Sequence, residues 1–238
     1  MSQHQILDPK THADLRIRAE AGDELGDGVS VALAVPAEFR RLACEFPLLF
    51  RRDGASSGWT ALALLGFETG ENLFLTGTRW DAVCRPLSLA VQPFLIGRAA
   101  DGEGPAQVHI DMAHPRIAAD GEGIRVFDSD GAPSPFLEQA IEMLGELDDG
   151  YRASADFFAA IDRYDLLEPF SMDVTLDSGA AHRMVGYNIV NEEALAALEP
   201  GILAELNAAG HLAPLYFAVA SLGNLGKLVR RKNRKGHG

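Results

Sequence analysis

Apolar positions in the first half of the chain come in short runs separated by turn-forming residues. These runs occupy 31–35, 48–50, 60–67, 72–75, 94–98, 108–112 and 125–127. Runs of this length, bounded by Gly, Asp, Asn and Pro, are typical of strands, and we expect the third and fourth runs to form a hairpin. Helical spacing between the runs predicts two short helices, at 39–46 and 87–90. Short strands joined by turns favour an antiparallel or mixed sheet over repeated strand–helix–strand units.

The second half of the chain changes to helical spacing. Ser134 followed by Pro135 predicts a helix start, because Ser accepts a hydrogen bond at the N-cap and Pro suits the first turn. Apolar residues then recur at 136, 137, 140, 141, 144 and 147. We expect this helix to end at Gly150 and a second helix to carry the apolar residues of 157–164.

A predicted hairpin, 172–176 with 182–189, follows these helices and precedes further helical segments. Asn191 is placed to cap the first of these segments, and a final helix carries the apolar residues of 215–228. The sequence therefore predicts an α+β fold, with an antiparallel or mixed sheet in the N-terminal half packed with a helix-rich C-terminal half.

Charge is distributed unevenly along the chain. The formal net charge is −13, yet 227–235 carries six basic residues and no acidic one. Without these six residues, 15 basic and 34 acidic residues remain, so the rest of the chain, which we call the acidic body, has a formal net charge of −19. Such a body lacks the positive face that phosphate contacts need, so we expect it to bind no nucleic acid. The basic tail 227–235 suits contact with an anionic surface or nucleic acid. The alternative, which we favour, is that these residues suit a helix C-terminus and then lie in solvent.

These patterns also predict how the chain divides into domains and where the protein is located in the cell. We expect 1–29 to be a loosely ordered lead-in, 30–230 to be a single domain and 231–238 to be a basic tail. No apolar run approaches the roughly 18 residues of a membrane span, so no span is expected. The polar stretch 1–24 has no apolar core of a signal peptide, and two cysteines are too few for a disulfide framework. The expected protein is soluble and cytoplasmic.

One constellation suggests a metal site. His109 and Asp111 lie on a predicted strand, where alternation places both side chains on one face. Iron-dependent oxygenases bind Fe(II) with two His and one carboxylate, and His182 is the best third ligand in the sequence. The alternative is that His109 and Asp111 belong to a polar strand face. No nucleophile motif or phosphate-binding glycine loop is present, so no catalytic residue is assigned. A non-enzymatic protein is favoured, and an enzyme stays open as the alternative.

A second candidate site surrounds Trp80, which lies in a polar stretch after a glycine turn. Arg79, Asp81 and Arg85 flank it, and an aromatic ring among charged groups suits a ligand surface. Core packing is the alternative explanation for an aromatic residue. Because no other cofactor pattern occurs, we expect no cofactor unless the Fe(II) hypothesis holds.

Several dispersed blocks of the sequence resemble a known family. They lie at 64–74, 79–81, 93–94, 127–131, 166–169, 173–176 and 221–225. In order and spacing, over about residues 30–230, the chain resembles the bacterial SapC family. That family is named for a protein linked to a surface layer, and many members are encoded beside uptake and modification genes. The resemblance implies no catalytic residues. Together with the lack of a catalytic motif, the resemblance implies a binding or assembly protein of a surface layer or of an uptake or modification locus. The alternative, which comes from His109, Asp111 and His182 and not from the resemblance, is an Fe(II) oxygenase-like enzyme.

Overall fold

The computed structural model of the chain describes residues 2–52, 54, 58–98, 106–119 and 121–235. The strands are β1 (His4–Ile6), β2 (Arg16–Ile17), β3 (Val31–Ala34), β4 (Leu48–Arg52), β5 (Trp59–Leu64), β6 (Leu75–Thr76), β7 (Arg79–Trp80), β8 (Phe94–Gly97), β9 (Gln107–Asp111), β10 (Ile124–Arg125), β11 (Leu167–Thr175) and β12 (Ala181–Val190). The α-helices are α1 (Phe39–Leu42), α2 (Leu87–Ala90), α3 (Pro135–Arg163), α4 (Glu192–Ala196), α5 (Pro200–Ala208), α6 (Leu212–Ser221) and α7 (Leu225–Lys235). Antiparallel strands fill the N-terminal part and helices are concentrated in the C-terminal half, which confirms the predicted α+β class.

The chain divides into two compact units. The first contains Met1–Gly28, Leu75–Asp81 and Leu87–Asp149, and the second contains Val29–Phe74, Ala82–Pro86 and Gly150–Gly238. Helix α3 contributes its first part to the first unit and its remainder to the second. The predicted division into lead-in, single domain and tail stays a prediction, and β1 and β2 lie within the segment interpreted as the lead-in.

The first unit is built on small antiparallel sheets. Strands β1, β9 and β8 form a three-stranded sheet in that order, β10 pairs with β2, and β6 pairs with β7. Side chains from β2, β8, β9, the first half of α3 and the residues that directly follow α2 and β10 form the core: Ile17, Val91, Phe94, Ile110, Val126, Phe127, Leu137, Ala140 and Leu144. Ser134 caps α3 as predicted, because its Oγ accepts a hydrogen bond from Leu137 N.

A buried ion pair stabilises the loops of this first unit. Arg116 is 2% exposed and Asp27 is fully buried, and Arg116 Nη2 donates to Asp27 Oδ2 at 2.7 Å. Arg116 Nη1 also donates to the backbone oxygens of Arg18 and Glu20, at 2.8 Å each. One guanidinium therefore fixes three points of the 18–27 segment, and a buried charge is tolerated because it is paired and hydrogen-bonded.

The second unit is built on a five-stranded antiparallel sheet in the order β11-β12-β4-β5-β3. The predicted hairpin is confirmed as β11 and β12, both longer than expected. Buried aromatic rings form the centre of the core, where Phe39 makes edge contacts with Phe50 at 6.1 Å and with Phe157 at 6.0 Å. Helices α1 and α6 contact each other, and α6 also contacts β4 and β12.

The predicted pairing of 60–67 with 72–75 is wrong. Strand β5 pairs with β3 on one side and with β4 on the other, and 72–74 is not a strand. The buried side chain of Asn72 explains the difference, because its Oδ1 accepts a hydrogen bond from Phe74 N at 2.9 Å. That local bond occupies an N–H group that a strand ladder would need.

The predicted helix break at Gly150 is also wrong, since α3 runs without interruption from Pro135 to Arg163. Gly150 instead marks a close approach to the end of β3. A Cβ atom at Gly150 would lie 2.7 Å from Val35 Cγ2, and Val35 is 1% exposed. The glycine is therefore explained by tertiary packing rather than by helix termination.

Candidate functional site

A cleft of about 470 Å³ lies in the second unit between the β3–β5 edge of the sheet and helix α3. Its lining consists of Leu33, Ala34, Val35, Gly58, Trp59, Thr60, Ala61, Tyr151, Ser154, Ala155, Phe158, Ala159 and Asp162. A cavity of this volume, with mostly apolar walls and a few polar groups, is typical of a small-molecule site.

The helical wall of the cleft is one face of α3. Its lining residues lie at 151, 154, 155, 158, 159 and 162, which repeats at intervals of three and four. Tyr151 and Phe158 are two turns apart, about 10 Å along the helix axis. Between them Ser154 and Ala155 carry short side chains, and Ala159 follows. The cleft exists because these small residues leave room beside the aromatic rings.

The sheet wall is formed where β3 and β5 pair. Ala34 lies opposite Ala61 in the register, and both are buried small residues. Trp59 begins β5 and lies opposite Arg52 on β4. Two facing alanines make the sheet wall shallow, and the indole of Trp59 stands at one end of the cleft.

That end of the cleft is polar. Asp162 Oδ1 accepts hydrogen bonds from Trp59 Nε1 at 2.9 Å and from Arg52 Nη2 at 3.0 Å. The Arg52 guanidinium also lies over the indole, 5.0 Å from the ring centroid. Asp162 Oδ2 makes no hydrogen bond to any residue within the described ranges. The carboxylate is therefore held in place by one oxygen while the other remains available as an acceptor.

The described lining of the cleft carries few groups that take part in acid–base or nucleophilic chemistry. Among the described lining residues, the titratable groups are the Asp162 carboxyl and the Tyr151 phenol. The hydroxyl of Ser154 donates to the backbone oxygen of Gly150 at 2.7 Å, as a serine inside a helix commonly does. Among the lining residues that the structure describes, no nucleophile is hydrogen-bonded to a general base, which covalent catalysis would need.

Three of the four residues of the predicted Trp80 site lie next to each other in the first unit. Arg79 and Trp80 form strand β7, and Arg79 Nη2 lies 3.6 Å from Asp81 Oδ1 in a largely exposed ion pair. Trp80 pairs with Leu75 across the two-stranded β6–β7 sheet and is half-buried. These residues belong to the first unit, whereas Arg85 belongs to the second. Ligand binding at Trp80 stays a prediction.

The predicted metal ligands are also divided between the units, with His109 and Asp111 on β9 of the first and His182 on β12 of the second. Asp111 Oδ1 accepts hydrogen bonds from Gln3 N and Ala113 N, and the Gln3 bond is the main cause that lowers the pKa of the Asp111 carboxyl. In the part of the chain that the structure describes, no group of three or more His, Cys, Asp and Glu side chains is arranged to hold a metal ion. The Fe(II) hypothesis stays a prediction.

His182 instead belongs to a charged cluster with the loop after β5. His182 Nδ1 lies 3.3 Å from Glu68 Oε1, and its ring stacks on Phe67. Lys232 of helix α7 joins the same cluster, with its Nζ 2.5 Å from Glu71 Oε1 and 3.3 Å from Glu68 Oε2. Burial lowers the pKa of Lys232, but the hydrogen bond and charge of Glu71 outweigh it, so the net shift is upward.

Part of the basic tail therefore lies against the second unit. Besides Lys232, Lys235 Nζ donates to the backbone oxygen of Asn72 at 2.7 Å, and the Arg231 guanidinium lies 4.4 Å from the centroid of the Phe74 ring. The segment Leu212–Lys235 is also the one described helical stretch that is long and apolar enough to cross a membrane, judged by length and composition alone. Only 28% of its most apolar window is buried. The expected absence of a membrane span stays a prediction.

Sequence reasoning did not identify most of the cleft. Trp59 is conspicuous in the sequence, but Ala155, Ala159 and Asp162 look like an ordinary exposed helix face. The available signal was weak: two alanines and one aspartate at helical spacing beside buried Phe157 and Ile161. Only the pairing of this helix face with β3 and β5 makes it a site.

Together these features define an α+β protein with a helix-walled cleft and no recognisable catalytic constellation among its described residues. The chain belongs to the SapC family, whose family model matches residues 7–228. No curated protein and no solved structure matches the chain. The sequence blocks that carry the resemblance include contacts of the second unit: Ser221 Oγ accepts from Leu48 N at 2.8 Å, and Asn224 Nδ2 donates to Ala43 O at 2.8 Å.

Proposed function

We propose that this SapC protein is a non-catalytic binding protein whose ligand lies in the α3–sheet cleft. The observation that carries the proposal is the combination of a cleft of about 470 Å³ with a fixed carboxylate at one end. The walls lie on a helix and on sheet strands, which hold a site more rigidly than loops do.

The lining chemistry favours a small ligand with an apolar or aromatic body and a cationic or N–H donor group. Leu33, Tyr151 and Phe158 offer apolar contact, and Asp162 Oδ2 offers an acceptor for the donor group. The net charge of −13 adds a long-range field that attracts cations and repels anions. An anionic ligand of the same shape is therefore disfavoured.

Phenethylamine is a suitable probe because it combines a phenyl ring with an ammonium group. We expect phenethylamine to raise the Tm of the wild-type chain, and phenylacetate, its anionic counterpart of similar size, to leave the Tm unchanged. Asp162→Asn keeps the shape of the side chain and removes its charge, so the amine-dependent rise in Tm should largely disappear. Equal effects of the two probes would contradict the assigned role of Asp162.

A second pair of variants tests the location of the ligand. Ala159→Leu places a larger side chain in the cleft and should abolish the effect of phenethylamine. Ala153→Leu is the matched control, because Ala153 is an exposed residue of the same helix outside the cleft lining. If both variants bind the probe like the wild type, the ligand does not lie in this cleft.

The biological setting of the proposal rests on family membership. We propose that the protein is located in the cytoplasm and that the binding serves an uptake or modification locus. A surface-layer role, which the family name implies, is the alternative. Cell fractionation with an antibody to this chain tests the location. Recovery only in the cytosolic fraction would exclude a stable surface-layer component and would leave the uptake or modification role in place.

A further inference from the structure

The basic residues of helix α7 fall into two groups with different surroundings. Arg231, Lys232 and Lys235 contact Phe74, Glu71 and Asn72 of the same unit, as described above. Lys227, Arg230 and Arg234 are all exposed. These three side chains make no hydrogen bond or ion pair to any other residue in the described part of the chain.

The three exposed residues form one stripe. Their spacing of three and four places Lys227, Arg230 and Arg234 within about 60° of arc on an α-helix. Leu228 lies on a different face and is 1% exposed, so the helix is fixed by its buried side while the stripe faces solvent. We call Lys227, Arg230 and Arg234 the cationic stripe.

The helix face that carries the cationic stripe continues toward the N-terminus, where its exposed residues are uncharged. Ala213, Tyr216, Ala220 and Gly223 precede the stripe at the same spacing of three and four, and all four are exposed. Tyr216 is 52% exposed, a large fraction for an aromatic residue. No acidic residue occurs anywhere in Leu212–Lys235. The outer face of this helical segment is thus apolar at one end and cationic at the other.

We propose that this face binds the surface of an anionic lipid bilayer, with the cationic stripe at the phosphate groups and Tyr216 at the headgroup level. A cationic face next to an amphipathic aromatic residue is the pattern of interfacial helices. The segment is apolar enough to meet the composition of a membrane helix, yet only 28% of its most apolar window is buried. It lies on the bilayer and does not cross it, because Ser221, Asn224 and Leu228 are buried within the second unit.

A bilayer is favoured over an acidic protein because the face offers little specific recognition. Small residues and three positively charged side chains suit a smooth anionic surface, whereas protein interfaces use anchoring side chains and complementary polar groups. The rest of the chain, at −19, repels anionic surfaces, so the contact is confined to the face that carries no acid.

Co-sedimentation of the full-length protein with vesicles tests the proposal. We expect binding to vesicles of phosphatidylcholine with phosphatidylserine, little binding to pure phosphatidylcholine, and weakening as salt is added. The triple variant Lys227→Glu/Arg230→Glu/Arg234→Glu should lower the partition coefficient by at least about a hundredfold, since each basic residue near the surface contributes roughly a factor of five and each new carboxylate adds repulsion.

The matched control is Lys10→Glu/Arg40→Glu/Arg51→Glu, which changes the net charge by the same amount at exposed positions elsewhere. It should retain vesicle binding far better than the stripe variant. Tyr216→Ser should weaken binding severalfold in the presence of an intact stripe. Circular dichroism of every variant separates loss of binding from loss of folding.

Three outcomes would overturn the proposal: no binding to anionic vesicles at low salt, equal losses in the stripe and control variants, or tighter binding of the stripe to a duplex DNA or an acidic protein than to vesicles. The cleft probe experiment is independent, because the stripe variant leaves every cleft residue unchanged.

Discussion

The close approach between Gly150 and Val35 gives a quantitative test of the packing in the second unit. Gly150 lies inside helix α3, where replacing glycine by alanine normally stabilises a helix by about 1 kcal/mol. A Cβ at this position, however, would lie 2.7 Å from Val35 Cγ2. Val35 is β-branched and 1% exposed, so it has neither rotamer freedom nor space to move. Forcing a methyl group into a packed core costs about 1–3 kcal/mol.

The free-energy cost of this steric overlap should therefore exceed the free energy gained from the higher helix propensity of alanine. We expect Gly150→Ala to lower the free energy of unfolding by about 1 kcal/mol, the balance of an overlap of about 2 kcal/mol and a gain of about 1 kcal/mol. Gly145 is the matched control, because it lies in the same helix and a Cβ there would meet nothing within 4 Å. Gly145→Ala should raise the free energy of unfolding by up to about 1 kcal/mol.

Urea denaturation followed by far-UV circular dichroism measures both effects. A double-mutant cycle adds the decisive comparison, since Val35→Ala removes the Cγ2 atom that the new methyl group would strike. In that background Gly150→Ala should become stabilising, with a coupling energy of about 2 kcal/mol between the two positions. If Gly150→Ala stabilises the protein as much as Gly145→Ala does, or if the cycle shows no coupling, the assignment of Gly150 to a close contact is refuted.

Three further predictions concern buried polar groups. Asp27→Asn leaves the Arg116 guanidinium buried without a counter-charge and should lower the free energy of unfolding by about 3 kcal/mol or more in urea denaturation. Ser221→Ala removes the acceptor for a buried backbone N–H and should cost about 1–3 kcal/mol in the same assay. Burial raises the pKa of the Cys84 thiol to about 11, so only about a thousandth of it is thiolate near pH 8. Cys84 should alkylate far more slowly than exposed Cys44, with a rate that rises until the pH reaches about 11.

Each of these predictions has a simple control. Asp23→Asn and Ser171→Ala make the same chemical changes at exposed positions and should alter the free energy of unfolding by less than about 0.5 kcal/mol. Mass spectrometry of the alkylated peptides distinguishes Cys44 from Cys84. Similar alkylation rates at the two cysteines near pH 8 would show that burial does not control Cys84.

Features determined by neighbours in sequence could be predicted from the residues alone. Ser134 and Asn191 cap their helices as expected, because an N-cap side chain needs only the backbone N–H groups two or three residues ahead. The β11–β12 hairpin followed from alternating residues on both sides of a glycine turn. The α+β class followed from the change of period between the two halves of the chain.

Features that depend on distant partners could not be predicted in this way. Gly150 resembles a helix break in sequence, and only the position of Val35 reveals it as a close contact. The charge pattern of the tail likewise does not reveal that Lys232 and Lys235 contact residues more than 160 positions earlier. Side-chain contacts over such separations depend on the tertiary path of the chain, which the local sequence does not encode.

The sequence by itself determined the α+β class, two helix caps, the β11–β12 hairpin, the uneven charge and membership of the SapC family, because local geometry and composition depend on adjacent residues. Tertiary structure alone decided where a cleft exists and which cations remain exposed. Small residues of α3 become a binding wall only opposite β3 and β5, and six similar basic residues become two different groups only after one face of α7 packs against the protein.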